Sequence, residues 1–223
     1  MKNLTKRKII ILGTGGSSRD ILDITYDINA FYGKEIYLVL GFLDDDESKW
    51  GKEINGIKIL GPLVSAVDYT DAFFINGIGS PKTFLDKQKI ISKTNIPMDR
   101  FVTLIHPSAS ISKSAKIGLG SVIFQNVVLG SNVKVGEQVI ILPNVVISHD
   151  DKVGDFSCLA GCVYISGTVS IGKFCYIGAN ASIRESLSIG EGSLVGMGST
   201  VIDNVPSRTV FAGNPARFVK NCQ

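Results

Sequence analysis

An aliphatic residue occupies every sixth position from Ile111 to Val201, sixteen times in succession (Ile111, Ile117, Ile123, Leu129 and onward to Val195 and Val201). Most are preceded two residues earlier by a small or β-branched residue, such as Ala109, Ser121, Val139 or Cys175, and often followed by glycine, as at Gly118, Gly136, Gly154 and Gly172. A helix repeats every 3.6 residues and a half-buried strand every two, so neither yields a period of six. A hexapeptide repeat does, and it predicts a parallel β-helix. Positions i−2 and i of a short strand share a face, so the small residue and the aliphatic both point inward. The following glycine is expected to turn the corner at little steric cost. Three hexapeptides close one triangular coil, which stacks residues eighteen apart about 4.8 Å from each other. The hexapeptide form winds left-handed, an exception to the usual crossover rule. Anchor positions are therefore scaffold, and functional residues are those that break the pattern.

Residues 1–105 lack the six-residue period and form a different domain, with 106–223 assigned to the β-helix and a short tail. An apolar run at 8–12 reads as a buried strand and is followed by Gly13-Thr14-Gly15-Gly16-Ser17-Ser18. A helical pattern follows at about 19–30, then a strand at 35–42 ending in Asp44-Asp45-Asp46, short strands at 57–60 and 72–75, and a helix at 82–93. That alternation predicts a small Rossmann-like α/β sheet. The glycine loop opens a helix after a strand, where bare N–H groups and the helix dipole hold phosphate. Ser18 stands where the third glycine of a dinucleotide fingerprint belongs, which argues against NAD. Asp44 and Asp45 have two readings, a solvated acidic turn or acceptors for a ribose or base.

Charge and cysteine usage narrow the class. A net charge of +3, much of it at Lys2, Lys6, Arg7 and Lys8, provides no broad basic surface for nucleic acid. No apolar stretch is long enough for membrane insertion. Cys158, Cys162, Cys175 and Cys222 lack zinc-finger spacing and read as reduced thiols of a cytoplasmic protein.

The glycine-rich loop, the strand end Gly41-Phe42-Leu43-Asp44-Asp45, the junction Leu104-Ile105-His106-Pro107, the hexapeptide repeat and the closing Gly213-Asn214-Pro215-Ala216 together resemble the nucleotide-aminosugar N-acetyltransferases of the hexapeptide acyltransferase superfamily. The likeness covers nearly the whole chain and is greatest to enzymes that acetylate the 4-amino group of a nucleotide-linked 4-amino-4,6-dideoxy sugar. Sialic acid O-acetyltransferases are related. The resemblance implies an acyltransferase of surface polysaccharide biosynthesis, a homotrimer with acetyl-CoA as co-substrate and no metal. It implies that Gly13, Gly15, Gly16 and Ser17 face the diphosphate, that Asp44 and Asp45 reach the nucleoside, and that Gly79 and Ser80 flank it. Gly178, Ala179, Gly196 and Met197 would line the coenzyme, with Cys158 standing where the family often has a coenzyme-contacting histidine. Ser17 likewise replaces the family's usual histidine.

His149 aligns with the family's catalytic histidine, two positions past the inward Ile147 on an outward corner. An amine attacking a thioester must lose a proton, and a neutral imidazole suits that task near neutral pH. Asp150 is the expected orienting carboxylate, with Asp151 a second candidate even though it falls in an inward slot, an odd place for an acid. His106, before Pro107, reads as a junction residue, and Asn126 and Asn144 as an amide ladder. The unbroken phase leaves no inserted loop in the repeat, so residues 1–105 must grip the sugar nucleotide, and a cyclic trimer is favoured. A γ-class carbonic anhydrase would need three histidine ligands, and an ice-binding helix a threonine ladder. The rivals left are O-acetylation of a sialic acid or related sugar and a non-catalytic nucleotide-sugar sensor.

Overall fold

The computed structural model describes residues 6–222. Strand β1 (Arg7–Leu12) is an interior strand of a five-stranded sheet, with Ile9 to Leu12 fully buried beneath neighbours on both faces. It pairs in parallel with β2 (Tyr37–Leu43) and β5 (Phe73–Asn76). On the outer side of β2 lies the parallel β4 (Ile57–Gly61), which closes an antiparallel hairpin with β3 (Glu53–Ile54). Helix α1 (Gly16–Tyr32) buries Ile21, Leu22, Ile24 and Ile28 against the sheet. It ends where Gly33 takes a left-handed φ of 62° and donates to the Ala30 and Asn29 carbonyls. The helix expected at 82–93 is only α2 (Lys87–Ser92). The Ser80 and Thr83 side chains engage nearby backbone N–H groups and hold the preceding segment in turns.

From Leu104 onward the chain winds through two-residue strands that stack into three parallel sheets, the faces of a left-handed triangular prism. The first face starts at Leu104–Ile105 and runs through Ile140–Ile141, Cys158–Leu159 and Tyr176–Ile177. The second starts at Ser110–Ile111 and includes Val146–Ile147, and the third starts at Lys116–Ile117 and includes Lys152–Val153. Registers step by eighteen, as in Val128 to Val146 to Tyr164. Every anchor from Ile123 onward is buried, at roughly 1.5–3 kcal/mol each, whereas Ile111 and Ile117 at the open end are half-exposed.

The glycines play a different part from the one the sequence suggested. The corner residue with left-handed φ lies three places past each anchor from Ile117 to Val195 and is seldom glycine: Asn126, Asn132, Asn144, Asp150 and Asn180 all have φ near 60°. The glycine just after the anchor instead admits the next coil. A Cβ on Gly154 would lie 2.5 Å from the Gly172 carbonyl carbon, and one on Gly178 would lie 2.5 Å from the Met197 nitrogen.

The N-terminal sheet packs over the first face. Phe101 pairs with Phe74 at 6.2 Å between ring centroids, Phe84 meets Tyr176 at 6.2 Å, and the stacked Phe156–Phe174 pair extends the same apolar cluster. A C-terminal hairpin, Thr209–Gly213 with Ala216–Asn221, continues that face.

Candidate active site

A cavity of about 390 Å³ opens at the end of β1, between the N-terminus of α1 and the loop after β5. Gly13, Gly15, Gly16, Ser17, Asp44, Asp45, Gly79 and Ser80, dispersed over the first eighty residues, all line it. Gly13 has a φ of 85°, and a Cβ there would touch Ile78 at 2.9 Å. Gly77, not singled out in the sequence, lets the β5 loop lie against Ser18, since a Cβ would come 2.8 Å from the Ser18 Cα. Gly15 caps α1 without a side-chain partner, the first turn carries no acid, and a Cβ on Gly15 or Gly16 would meet open space. The first amides of the helix therefore present bare N–H groups and the positive end of the dipole to the cavity.

The two aspartates are not free in solvent. Thr14 donates to Asp44 Oδ2, and the Trp50 indole N–H donates to the Asp44 carbonyl at 2.8 Å. Asp45 accepts from the Leu63 amide at 2.9 Å and from Lys93 Nζ at 2.7 Å. Burial raises the pKa of Asp45, but the Lys93 and Leu63 bonds outweigh it and hold the carboxyl below the usual range. Thr14, Lys93 and Thr83 are wall residues that the sequence pattern does not reveal; Thr14 and Lys93 make their contacts to Asp44 and Asp45, thirty and forty-eight residues away.

The cavity's floor meets the prism at Gly79, where a Cβ would lie 3.0 Å from Ile140 Cδ1 and 3.9 Å from Cys158 Cβ. Cys158 is 1% exposed beneath this loop, its Sγ 3.7 Å from the Gly79 carbonyl. Beside it Lys87 is fully buried and donates to the Gln138 carbonyl at 2.5 Å. Loss of hydration pulls the Lys87 ammonium down to about 8 and pushes the Cys158 thiol up to about 11.

His149 stands on the corner between the second and third faces, exposed, with Nδ1 3.0 Å from Asp150 Oδ2. Asn132, eighteen residues earlier, donates from Nδ2 to Asp150 Oδ1 at 3.0 Å. The Asn132 bond, then the His149 bond, lowers the Asp150 pKa, so the carboxyl is an ionised acceptor. In the neutral imidazole Nδ1 is then the donor and Nε2 carries the lone pair. The ring rests on Gly167, where a Cβ would sit 2.6 Å from both Cε1 and Nε2. Asp151 points inward, and burial pushes its carboxyl up to about 6. The amide ladder is present, with Asn126 donating to Asn144 Oδ1 at 3.3 Å. His106 bridges the junction, its Nδ1 2.7 Å from Ser108 Oγ and its Nε2 3.2 Å from Asp27 Oδ2.

Gly178, Ala179, Gly196 and Met197 stack on the corner between the first and second faces, with Met197 77% exposed. In a triangular prism a corner lies opposite the face it does not border. The cavity, set against the first face, and His149, between the second and third, are thus on opposite sides of one chain.

Residues 8–93 match the PglD N-terminal domain family, and residues 168–202 match the hexapeptide repeat of succinyl-transferase. The chain thus joins an N-terminal α/β unit similar to the PglD N-terminal domain to a prism of hexapeptide repeats. It is 32% identical over 124 residues to the UDP-N-acetylbacillosamine N-acetyltransferase of Bacillus subtilis (strain 168), a match spanning 52% of this chain and 51% of that protein. The chain thus spans about half the length of this curated relative. The acetyltransferase domain of PglB from Neisseria gonorrhoeae FA1090 superposes with a TM-score of 0.81 at 24% identity, covering 96% of this chain and 100% of that one. PerB from Caulobacter crescentus, solved with CoA and GDP-perosamine, superposes with a TM-score of 0.81 at 23% identity over 95% of this chain and 97% of its own. These likenesses show that the two-part fold is shared from end to end. No helix among the described residues is long and apolar enough to cross a membrane.

Proposed function

We propose that this chain transfers the acetyl group of acetyl-CoA to the 4-amino group of a nucleotide-linked 4-amino-4,6-dideoxy sugar, with His149 as general base. The observation that carries the reading is the His149–Asp150 pair, which commits Nδ1 and leaves Nε2 free at an exposed corner. Nε2 takes a proton from the amine as the nitrogen attacks the thioester carbonyl. The C–S bond then breaks, the N-acetyl sugar forms, and the proton passes to the departing thiolate to give CoA. Asp150 fixes the tautomer and stabilises the imidazolium.

The donor and acceptor assignments draw on the relatives. PerB was solved with CoA and a GDP-linked sugar, and the Bacillus protein is named for a UDP-linked one. In this chain the bare amides of Gly15, Gly16 and Ser17 would hold the diphosphate, Asp44 and Asp45 the nucleoside, and Gly79 and Ser80 its flank. Residues 1–105 would select the sugar nucleotide. Residues 106–223 would carry acetyl-CoA along Gly178, Ala179, Gly196 and Met197, while the buried Cys158 would support Gly79 at the floor between the two substrates.

Because the cavity and His149 lie on opposite sides of one chain, a second copy must bring them together, and a homotrimer does so in a closed ring. With four free cysteines and acetyl-CoA as donor, the reading places the reaction in the cytoplasm, in the assembly of a surface polysaccharide.

The test is thiol release from acetyl-CoA with a panel of UDP-, dTDP- and GDP-linked 4-amino sugars, with hydroxyl sugars, sialic acid among them, alongside. One acceptor should support turnover and yield an N-acetylated product. Turnover only with a hydroxyl sugar would convert the assignment to O-acetylation, and nucleotide-sugar binding without turnover would indicate a sensor.

A further inference from the structure

Asp151 follows the His149–Asp150 pair but turns the opposite way, into the prism. It is 1% exposed in a corner column otherwise made of Ala115, Val133, Val169 and Leu187. Its Oδ1 accepts from the Val169 amide at 2.7 Å, while Oδ2 is buried without a partner. A half-satisfied buried carboxyl costs stability that an aliphatic side chain would not. The neighbouring coil shows what the carboxyl holds. The Thr168 amide bonds to the His149 carbonyl at 3.0 Å, and Gly167 just before it is the floor under the imidazole. Two successive amides of the 167–169 corner are therefore tied to the His149–Asp151 segment, one by main chain and one by the Asp151 side chain. Ala115, Val133 and Leu187, at the same corner of other coils, have no acceptor to offer.

We propose that Asp151 is a positioning residue for the transfer reaction: its carboxyl fixes the 167–169 corner at the height where Gly167 supports the His149 ring and aims Nε2 at the amine. The inference rests on the acetyl-transfer reading. It explains why an acid stands where the other coils of the column carry aliphatic residues.

The test compares Asp151→Val, which copies Val133 and Val169 of the same column, with Asp151→Asn, which keeps an acceptor for the Val169 amide. Asp151→Val should melt no lower than wild type, yet lose kcat by roughly 10- to 100-fold with little change in either KM. The Val169 amide should exchange hydrogen faster, and the His149 ring nitrogen resonances should move. Asp151→Asn should recover most of the lost kcat, the Val169 protection and the resonances. Should valine not be accommodated, Asp151→Ala, which copies Ala115, is read the same way. An active wild type with wild-type kcat in Asp151→Val, or unaltered Val169 exchange and His149 resonances, would overturn the positioning role. A wild type that transfers no acetyl group overturns the acetyl-transfer reading instead, with Val169 exchange and the ring resonances still deciding the contact.

Discussion

Nδ1 of His149 lies 3.0 Å from Oδ2 of Asp150 on a corner where Asp150 itself adopts a left-handed φ of 62°. A non-glycine residue in that conformation is uncommon, and short polar side chains tolerate it best. Here the backbone geometry that turns the chain also delivers the carboxylate to the imidazole. Asp150→Asn should therefore retain the corner but offer an amide that can donate to Nδ1, favouring the wrong tautomer. The expected loss in kcat is about 10²-fold or more with both KM values little changed, measured by steady-state thiol release.

Ser17, in the first turn of α1, separates helix stability from ligand binding. Ser17→Asp places a negative charge at the positive end of the helix dipole, which should stabilise the fold by about 0.3–1 kcal/mol. The same charge repels a diphosphate at the bare amides of Gly15 and Gly16. A higher melting temperature together with a raised KM for the sugar nucleotide, and an unchanged KM for acetyl-CoA, is the expected pair of results. Equal effects on both substrates would remove the diphosphate from this loop.

The opposed placement of cavity and base predicts complementation. Ser17→Asp and His149→Ala should each be impaired alone. In the proposed ring, mixed oligomers formed by co-expression should regain activity where an intact cavity of one subunit faces an intact His149 of another. Activity of the mixture no greater than the sum of the two variants would place both halves of the site within one chain.

Asp151 also makes stability depend on pH. Burial raises its pKa from 3.8 in the unfolded chain to about 6 in the fold. Between those values the native state holds a proton that the unfolded state has released, so stability falls as pH rises. The contribution is fully present below pH 3.8 and is lost as pH rises through about 6. The melting temperature of wild type should thus fall relative to that of Asp151→Asn from about pH 4 to pH 7. Parallel curves for the two proteins would contradict this.

The prism was legible in the sequence because its period is strict: from Ile123 onward each sixth aliphatic is buried, and the expected inward slot of Asp151 is occupied as drawn. The loop and the acidic strand end are legible as separate motifs, Gly79 and Ser80 only through the family resemblance, and the structure gathers all of them around one cavity. What escaped was set by contacts across distance. Asn132 acts on Asp150 only through the eighteen-residue stack, and Lys93 reaches Asp45 from the turn just past α2, forty-eight residues away. The corner glycines were assigned to backbone conformation, whereas Gly154 and Gly178 are required by the approach of the next coil, which no single hexapeptide displays. The 82–93 segment read as a longer helix because its apolar spacing is helical, yet Ser80 and Thr83 take up backbone groups in turns.

The most direct measurement is acetyl transfer by wild type and His149→Ala with acetyl-CoA and a nucleotide-linked 4-amino sugar, following thiol release and identifying the product by mass spectrometry. Wild type should yield an N-acetylated nucleotide sugar, and His149→Ala a kcat lower by roughly 10²–10⁴-fold with nucleotide-sugar binding retained. Wild-type turnover in His149→Ala would contradict the general-base role of His149.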